Sequence, residues 1–287
     1  MCIVMGADTA TIPSLRQAPD VACNYKQHSV TMKILILLFT LFTFSDICKC
    51  QIPDLSNWKM DTLPIGERGN RANHSKNDWK FVLKDNKWII IQNDYKKATG
   101  DTLPFSAEFV AKNLKEIKGY SSVKKISNGY LIGLDNGEFG GSLHFVNSSG
   151  LTEYEIAGYL NIRNIFVYKS KIFATEGLAH LGGQRGQIIE IYKQRKWKYK
   201  TFSKLIEAPR LIADYKNEKI IVTSQYILKF DSDLKVEQIL KSPFYWGMLY
   251  PSSILFDNND IYLAMRQGVL KIKSFDSSPE YEWYIPK

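Results

Sequence analysis

The sequence is short of cysteine where a domain would use it. All four cysteines, Cys2, Cys23, Cys48 and Cys50, precede Gln51. From Gln51 to Lys287 there is therefore no disulfide framework, thiolate metal site or cysteine nucleophile. A domain over that stretch must be held by its core alone, and the stretch is long enough for one. Histidine is scarce too: only His74, His144 and His180 follow Gln51, which argues against a His-rich zinc site. Apolar runs are short. The main one, Ile34 to Phe44, is broken by Thr40 and Thr43 and is well below the roughly 20 residues a spanning helix needs. No GxSxG elbow, P-loop spacing or recognition-helix pattern occurs. Nucleic acid is not an expected partner, although the net charge is +9. The basic residues alternate with apolar ones, as in "QRKWKYKTFSK" (194–204), the pattern of a solvated strand face.

Residues 32–50, "MKILILLFTLFTFSDICKC", have the layout of a secretory leader. Met32-Lys33 is a short positive start, an apolar run follows, and Cys48-Lys49-Cys50 ends it. Residues 1–31 are then expected to be an upstream extension, with Met32 as the true start. A lipid anchor at Cys48 or Cys50 is the lesser alternative, because Asp46 puts a charge where a lipobox would be apolar. The expected organisation is an extension (1–31), a leader (32–50) and one domain (51–287). The protein would be secreted or periplasmic, with no membrane span once the leader is removed. Anionic cell-surface polymers or an acidic protein are compatible partners.

The domain repeats. "NKWIIIQND", "NGYLIGLDNG", "SKIFATEG", "NEKIIVTSQ" and "NNDIYLAMRQG" begin at Asn86, Asn128, Ser170, Asn217 and Asn258, 41 to 47 residues apart. Each is a polar turn leading into β-forming residues. Most have an apolar run before them and a second strand after them. Units of this length with three or four strands stack as propeller blades, since one unit alone cannot bury both sheet faces. An all-β propeller of about five blades is expected, each of three to four antiparallel strands. A six-bladed ring and a β-sandwich are the alternatives. "IPDLSNWKM" (52–60) and "YEWYIP" (281–286) are otherwise unpaired and should complete one blade together. "AEFVAKNLKEIK" (107–118) is the best helical candidate, with β alternation as its competitor.

Labelling each blade's strands A to D outward from the axis, "EGLAHLGGQRGQIIEI" (176–191) falls between strands B and C of the third unit. Three B–C connections look swollen: residues 93–104, 135–142 and 176–186. Those of the fourth and fifth units are tight, "TSQY" and "MRQG". B–C and D–A connections share one face around the channel mouth. That face collects Asp135, Glu138, Arg163, Glu176, His180, Arg185, Arg210, Trp246, Tyr250 and Arg266. Both signs of charge with aromatics make a polar binding surface. The glycines of "GGQRG" suit φ > 0 in a wide hairpin rather than a phosphate cradle. Glu176 and His180, four apart, would share a face on a helix, and no helical signal is present. No cofactor is expected; if calcium binds, Asp135, Glu138 and Glu176 are its ligands. His144 in "SLHFV" reads as a packed strand histidine. Trp246 in "FYWGMLYP" suits a core plug and ligand stacking equally. Asn73-His74-Ser75 and Asn147-Ser148-Ser149 match the glycosylation sequon.

The stretches "NGYLIGLDNGEFGGSLHFV" (128–146) and "YPSSILFDNNDIYLAMRQGVLKI" (250–272) resemble blades of secreted bacterial β-propellers, the broad group of NHL, gluconolactonase-like and quinoprotein-type repeats. Gluconolactonase-like proteins use acidic and Asn ligands for a channel metal, and the acidic residues just named are the only counterpart here. Two functions are therefore expected. One is an exported binding module for a protein or glycan, an immunity-type inhibitor of a periplasmic toxin being one version. The other is a metal-dependent hydrolase or lyase at the channel mouth. Arg163, Arg210 and Arg266 should attract an anionic group in either case.

Overall fold

The computed structural model describes residues 52–94 and 97–287. The expectations for residues 1–50 lie outside the described residues. The chain divides into Met1–Lys49 and Cys50–Lys287, and the second unit is a β-propeller of five blades. Its first elements are β1 (Trp58–Asp61), α1 (Glu67–Asn73), β2 (Trp79–Lys84), β3 (Lys87–Gln92), β4 (Thr99–Gly100) and α2 (Ala107–Asn113). Blade 2 follows as β5 (Ser122–Ile126), β6 (Gly129–Asp135), β7 (Gly141–Asn147) and β8 (Glu153–Gly158). Blade 3 is β9 (Ile162–Tyr168), β10 (Lys171–His180), β11 (Gly183–Lys193) and β12 (Trp197–Leu205). Blade 4 is β13 (Pro209–Tyr215), β14 (Glu218–Thr223), β15 (Tyr226–Phe230) and β16 (Val236–Lys241). Blade 5 is β17 (Ser253–Asp257), β18 (Asp260–Ala264), β19 (Val269–Lys273) and β20 (Glu280–Pro286).

The repeated polar turns are the A–B hairpins. Asp85-Asn86 and Lys169-Ser170 hold both turn residues at positive φ, and Lys216 and Asn258 lie there too. Such turns match the right-handed twist of the flanking strands. The chain ends close the ring as expected: β1 pairs antiparallel with β20, Trp58 opposite Pro286 and Asp61 opposite Trp283. The result is a five-stranded blade 5 whose outer edge is capped.

Blade faces pack on one another. Leu131, Leu143, Ile162 and Ile189 fill the space between blades 2 and 3. Phe173, Ile188, Ile221 and Phe230 do so between blades 3 and 4, and Val222, Leu240, Leu263 and Trp283 between blades 4 and 5. Phe81, Leu255 and Tyr262 join blade 5 to blade 1. Blade 1 departs from the expectation. It has two strands, β2 and β3. The stretch expected as its B–C connection instead holds β4, which pairs parallel with β5 of the next blade. The helical candidate is realised as α2 and a 3-10 turn, Lys115–Ile117. The Ser106 hydroxyl caps α2 by accepting from Phe109 N at 3.1 Å. Val110, Leu114 and Ile117 cover blade 2, where outer strands of blade 1 would lie. Among the described residues no helix is long and apolar enough to cross a membrane.

Two sets of side chains tie blades together at opposite ends of strand A. At the far end the Tyr168 and Tyr215 hydroxyls donate to the next blade's A–B turn, at Asn217 O (2.7 Å) and Asn258 O (2.9 Å). At the near end Ser121 donates to Gly133 O (3.0 Å) and Ile162 O (2.9 Å). Ser252 likewise donates to Ala264 O at 3.1 Å and to Trp79 O. Counted from the A–B turn, Ser121 and Ser252 occupy the same position as Arg163 and Arg210.

Candidate functional site

Inner strands leave a cavity of about 880 Å³ on the axis, lined among others by Thr99, Ser121, Asp135, Arg163, Arg210 and Tyr250. Arg163 and Arg210 reach it by the same device. The register between β9 and β10 shifts so that Arg163 is the unmatched residue, Asn164 pairing with Thr175 and Ile162 with Glu176. In the next blade Pro209 pairs with Thr223 and Leu211 with Val222, leaving Arg210 unmatched. A β-bulge of this kind re-aims one side chain. The Nε atoms of both arginines are buried without a hydrogen-bond partner among the described residues. Arg163 pairs with Asp135; Arg210 forms no ion pair among the described residues and lies over the Tyr250 ring at 5.6 Å. Burial lowers the Arg163 pKa from its ordinary value; Asp135 opposes this and the Arg210 charge adds to the fall. Two neighbouring cations thus face the cavity with Asp135 committed to one of them; Asp94 and Lys97 also belong to its lining.

A buried amide supports this arrangement. Asn161, fully buried, donates through Nδ2 toward Asp135 Oδ1 (2.9 Å), Gly137 O (2.7 Å) and Gly140 O (3.0 Å). Its Oδ1 accepts from Arg185 Nη2 at 2.9 Å. Arg185 also pairs with Glu176, whose Oε2 accepts from Gln187 Nε2 at 3.0 Å. Asp135, Arg163, Glu176 and Arg185 are thus one connected network, joined by Asn161 and extended by Gln187 from Glu176 to Thr201. Neither connecting residue was singled out from the sequence. The signal for Asn161 was a lone amide between Leu160 and Ile162.

The long third B–C connection is not a loop. β10 and β11 stay paired to His180 opposite Gly183, and Leu181-Gly182 turns the chain with both residues at positive φ. Of the glycines in "GGQRG", only Gly182 needs φ > 0. Gly186 is demanded by close approach, because a Cβ there would lie 2.1 Å from Glu207 O. Glu176 and His180 do share a strand face, since side chains four apart align at a period of two, but each has its own partner. His180 Nε2 lies 2.7 Å from Glu138 Oε2 of the second B–C loop. That loop is a true one, carrying the 3-10 turn Gly137–Phe139.

The remaining candidates belong to the frame. Arg266 donates to Asn73 O (2.7 Å), Asn73 Oδ1 (3.0 Å) and Asp78 Oδ1 (3.2 Å) while stacking on Tyr250 at 4.5 Å. Trp246 is fully buried and donates to Thr223 O at 2.8 Å, a core plug. The carboxylates offered for calcium, Asp135, Glu138 and Glu176, each face a different basic side chain. Among the described residues no group of three His, Asp or Glu could hold a metal ion. His144 is buried on β7, with Ser142 Oγ 2.8 Å from Nε2 and Glu153 Oε1 2.7 Å from Nδ1. The three resemble a nucleophile relay, but none lines the channel cavity. They link β7 to β8.

No family model matches the chain, and no curated protein sequence matches it. Solved structures do. Selenomethionine-substituted virginiamycin B lyase from Staphylococcus aureus is 16% identical over 57% of this chain and 54% of its own, with a TM-score of 0.37. A calcium-binding protein, regucalcin, from Agrobacterium tumefaciens is 13% identical over 56% of this chain and 59% of its own, with a TM-score of 0.39. The chain therefore spans little more than half the length of either. These likenesses carry no argument about chemistry here; the five-bladed architecture stands on the sheets described above.

Proposed function

We propose that the protein is an exported binding module that takes an anionic group of its ligand at the channel mouth, between Arg163 and Arg210. The observation that carries this reading is the pair of bulges that turns both arginines into one cavity while leaving their Nε atoms unpartnered. A guanidinium presents a planar fork matched to carboxylate or phosphate. An anion placed there would offset the repulsion between Arg163 and Arg210 and pair with the Arg210 guanidinium. Tyr250, Ser121 and Thr99 line the same cavity. Export rests on the leader-like residues 32–50.

Thermal unfolding in the presence of inorganic phosphate and of mono-, di- and tricarboxylates tests the reading. At least one of these anions should raise the midpoint. Arg210→Ala should weaken that anion's binding by about tenfold or more while unfolding near the wild-type midpoint in its absence. A midpoint indifferent to every anion, or a response unchanged in Arg210→Ala, would remove the basis for the proposal.

A further inference from the structure

Building on the channel-mouth reading, we infer that the surrounding rim is a docking surface for a protein partner that inserts an acidic loop toward Arg210. Large apolar side chains stand out from this face. Phe139 is 85% exposed, Tyr159 89% and Leu181 93%, with Ile206 at 56%. They come from four successive connections: B–C of blade 2, D–A between blades 2 and 3, B–C of blade 3, and D–A between blades 3 and 4. Single exposed hydrophobics are ordinary; a contiguous set marks an interaction site.

Contacts hold these four connections side by side. A Cβ built on Gly140, next to Phe139, would lie 3.7 Å from the Tyr159 ring. The Glu138–His180 pair, at 2.7 Å, fastens the Phe139 loop to the hairpin tip beside Leu181. At the hairpin's other side Gln184 donates to the Tyr245 hydroxyl at 2.6 Å and accepts from Ala208 N at 3.3 Å, two residues from Ile206. The rim is therefore held in place before any partner arrives, which lowers the ordering cost of binding. Leu181 itself sits at φ 47, a conformation unfavourable for a side chain with a Cβ.

The partner's chemistry follows from charge. The chain carries a net +9. Of the acids on this face, Asp135, Glu138 and Glu176 are each matched by a cation and Glu207 accepts from Thr223 Oγ1 and Gln225 N, whereas Arg210 has no acidic partner among the described residues. An apolar arc on the same face as an unmatched guanidinium fits a loop with aliphatic or aromatic residues flanking Asp or Glu. A small anion would satisfy Arg210 but leave the rim uncovered.

The test immobilises the purified chain and selects from a phage library of disulfide-constrained random loops. Enriched loops should carry Asp or Glu flanked by apolar residues. Their affinity should fall about tenfold or more for Leu181→Ser, for Phe139→Ser and for Arg210→Ala. Leu181 and Phe139 are so exposed that both serine variants should keep the wild-type unfolding midpoint and its response to anions. No enrichment, or enriched loops that bind the serine variants as well as the wild type, would overturn the docking surface, and an intact anion response in that case would leave the channel reading standing. Loops that depend on the rim but ignore Arg210→Ala would overturn the acidic anchor.

Discussion

Replacing Asn161 tests whether the channel mouth is built around a buried amide. Asn161→Ala removes the shared donation to Asp135, Gly137 O and Gly140 O and the bond accepted from Arg185. Neutral bonds contribute about 1 kcal/mol each and charge-assisted ones about 2 kcal/mol. The abandoned groups are not all orphaned. Gly137 O still accepts from Gly140 N at 3.1 Å, Gly140 O from Asn136 N at 2.7 Å, and Asp135 keeps Arg163. The expected loss is therefore about 3 kcal/mol rather than the full desolvation cost of every partner. Asn161→Asp has nearly the same shape but turns the donor into an acceptor facing Asp135 and two carbonyls. It should cost more than alanine at neutral pH, because two carboxylates would then share one buried site. Urea unfolding followed by tryptophan fluorescence measures both. An alanine variant within about 0.5 kcal/mol of wild type, or an aspartate variant no worse than alanine, would refute the reasoning.

Two further outcomes follow from the frame. Ser252→Ala removes the hydroxyl that joins the start of β17 to Trp79 O and Ala264 O; it should cost about 1–2 kcal/mol in urea unfolding, and an unchanged midpoint would show that the clasp between blades 5 and 1 is dispensable. For Asp101, the bond from Lys125 N at 2.7 Å holds its carboxyl below the ordinary value of 3.8, with Lys124 at 3.0 Å helping and burial opposing. That stabilisation is complete above the ordinary value and disappears as the pH falls through the depressed one. Wild type should therefore exceed Asp101→Asn in stability at pH 6, and the two should converge on acidification below 3.8; a pH-independent difference would contradict the assignment.

How much of this was legible depends on whether the determinant is local. The blade units could be read because four of the five A–B turns place residues such as Asp85, Asn86 and Lys216 at positive φ, and such turns have a composition. Ring closure could be read because residues 52–60 and 281–286 were strand-like and had nothing else to pair with. The two-stranded blade 1 could not. Whether residues 93–104 continue a blade depends on β4 finding β5, a pairing set by the ring and not by the residues themselves. The third B–C connection was misjudged as a loop because "GLAHLGGQRG" lacks β-branched residues, yet Gly177 and Gly186 face each other where the Glu207–Pro209 connection crosses too closely for side chains.

The candidate site divides in the same way. Its charged members were visible as residues on shared connections. Their pairing was not, since Asn161 joins blades 2 and 3 through contacts 21 to 26 residues away in sequence. The bulges at Arg163 and Arg210 leave no compositional mark, because a bulge is a mismatch between two strands. A signal was nevertheless available in the repeat itself. Aligned on the A–B turns, Ser121, Arg163, Arg210 and Ser252 share one position, so the two serines that clasp blades also locate the two arginines that face the axis.

The most direct measurement is anomalous diffraction from a crystal of the protein soaked in bromide. The account predicts a bromide within hydrogen-bonding reach of the Arg210 guanidinium, inside the channel mouth. Bromide bound only on the outer surface, with the mouth of the channel left to water, would contradict it.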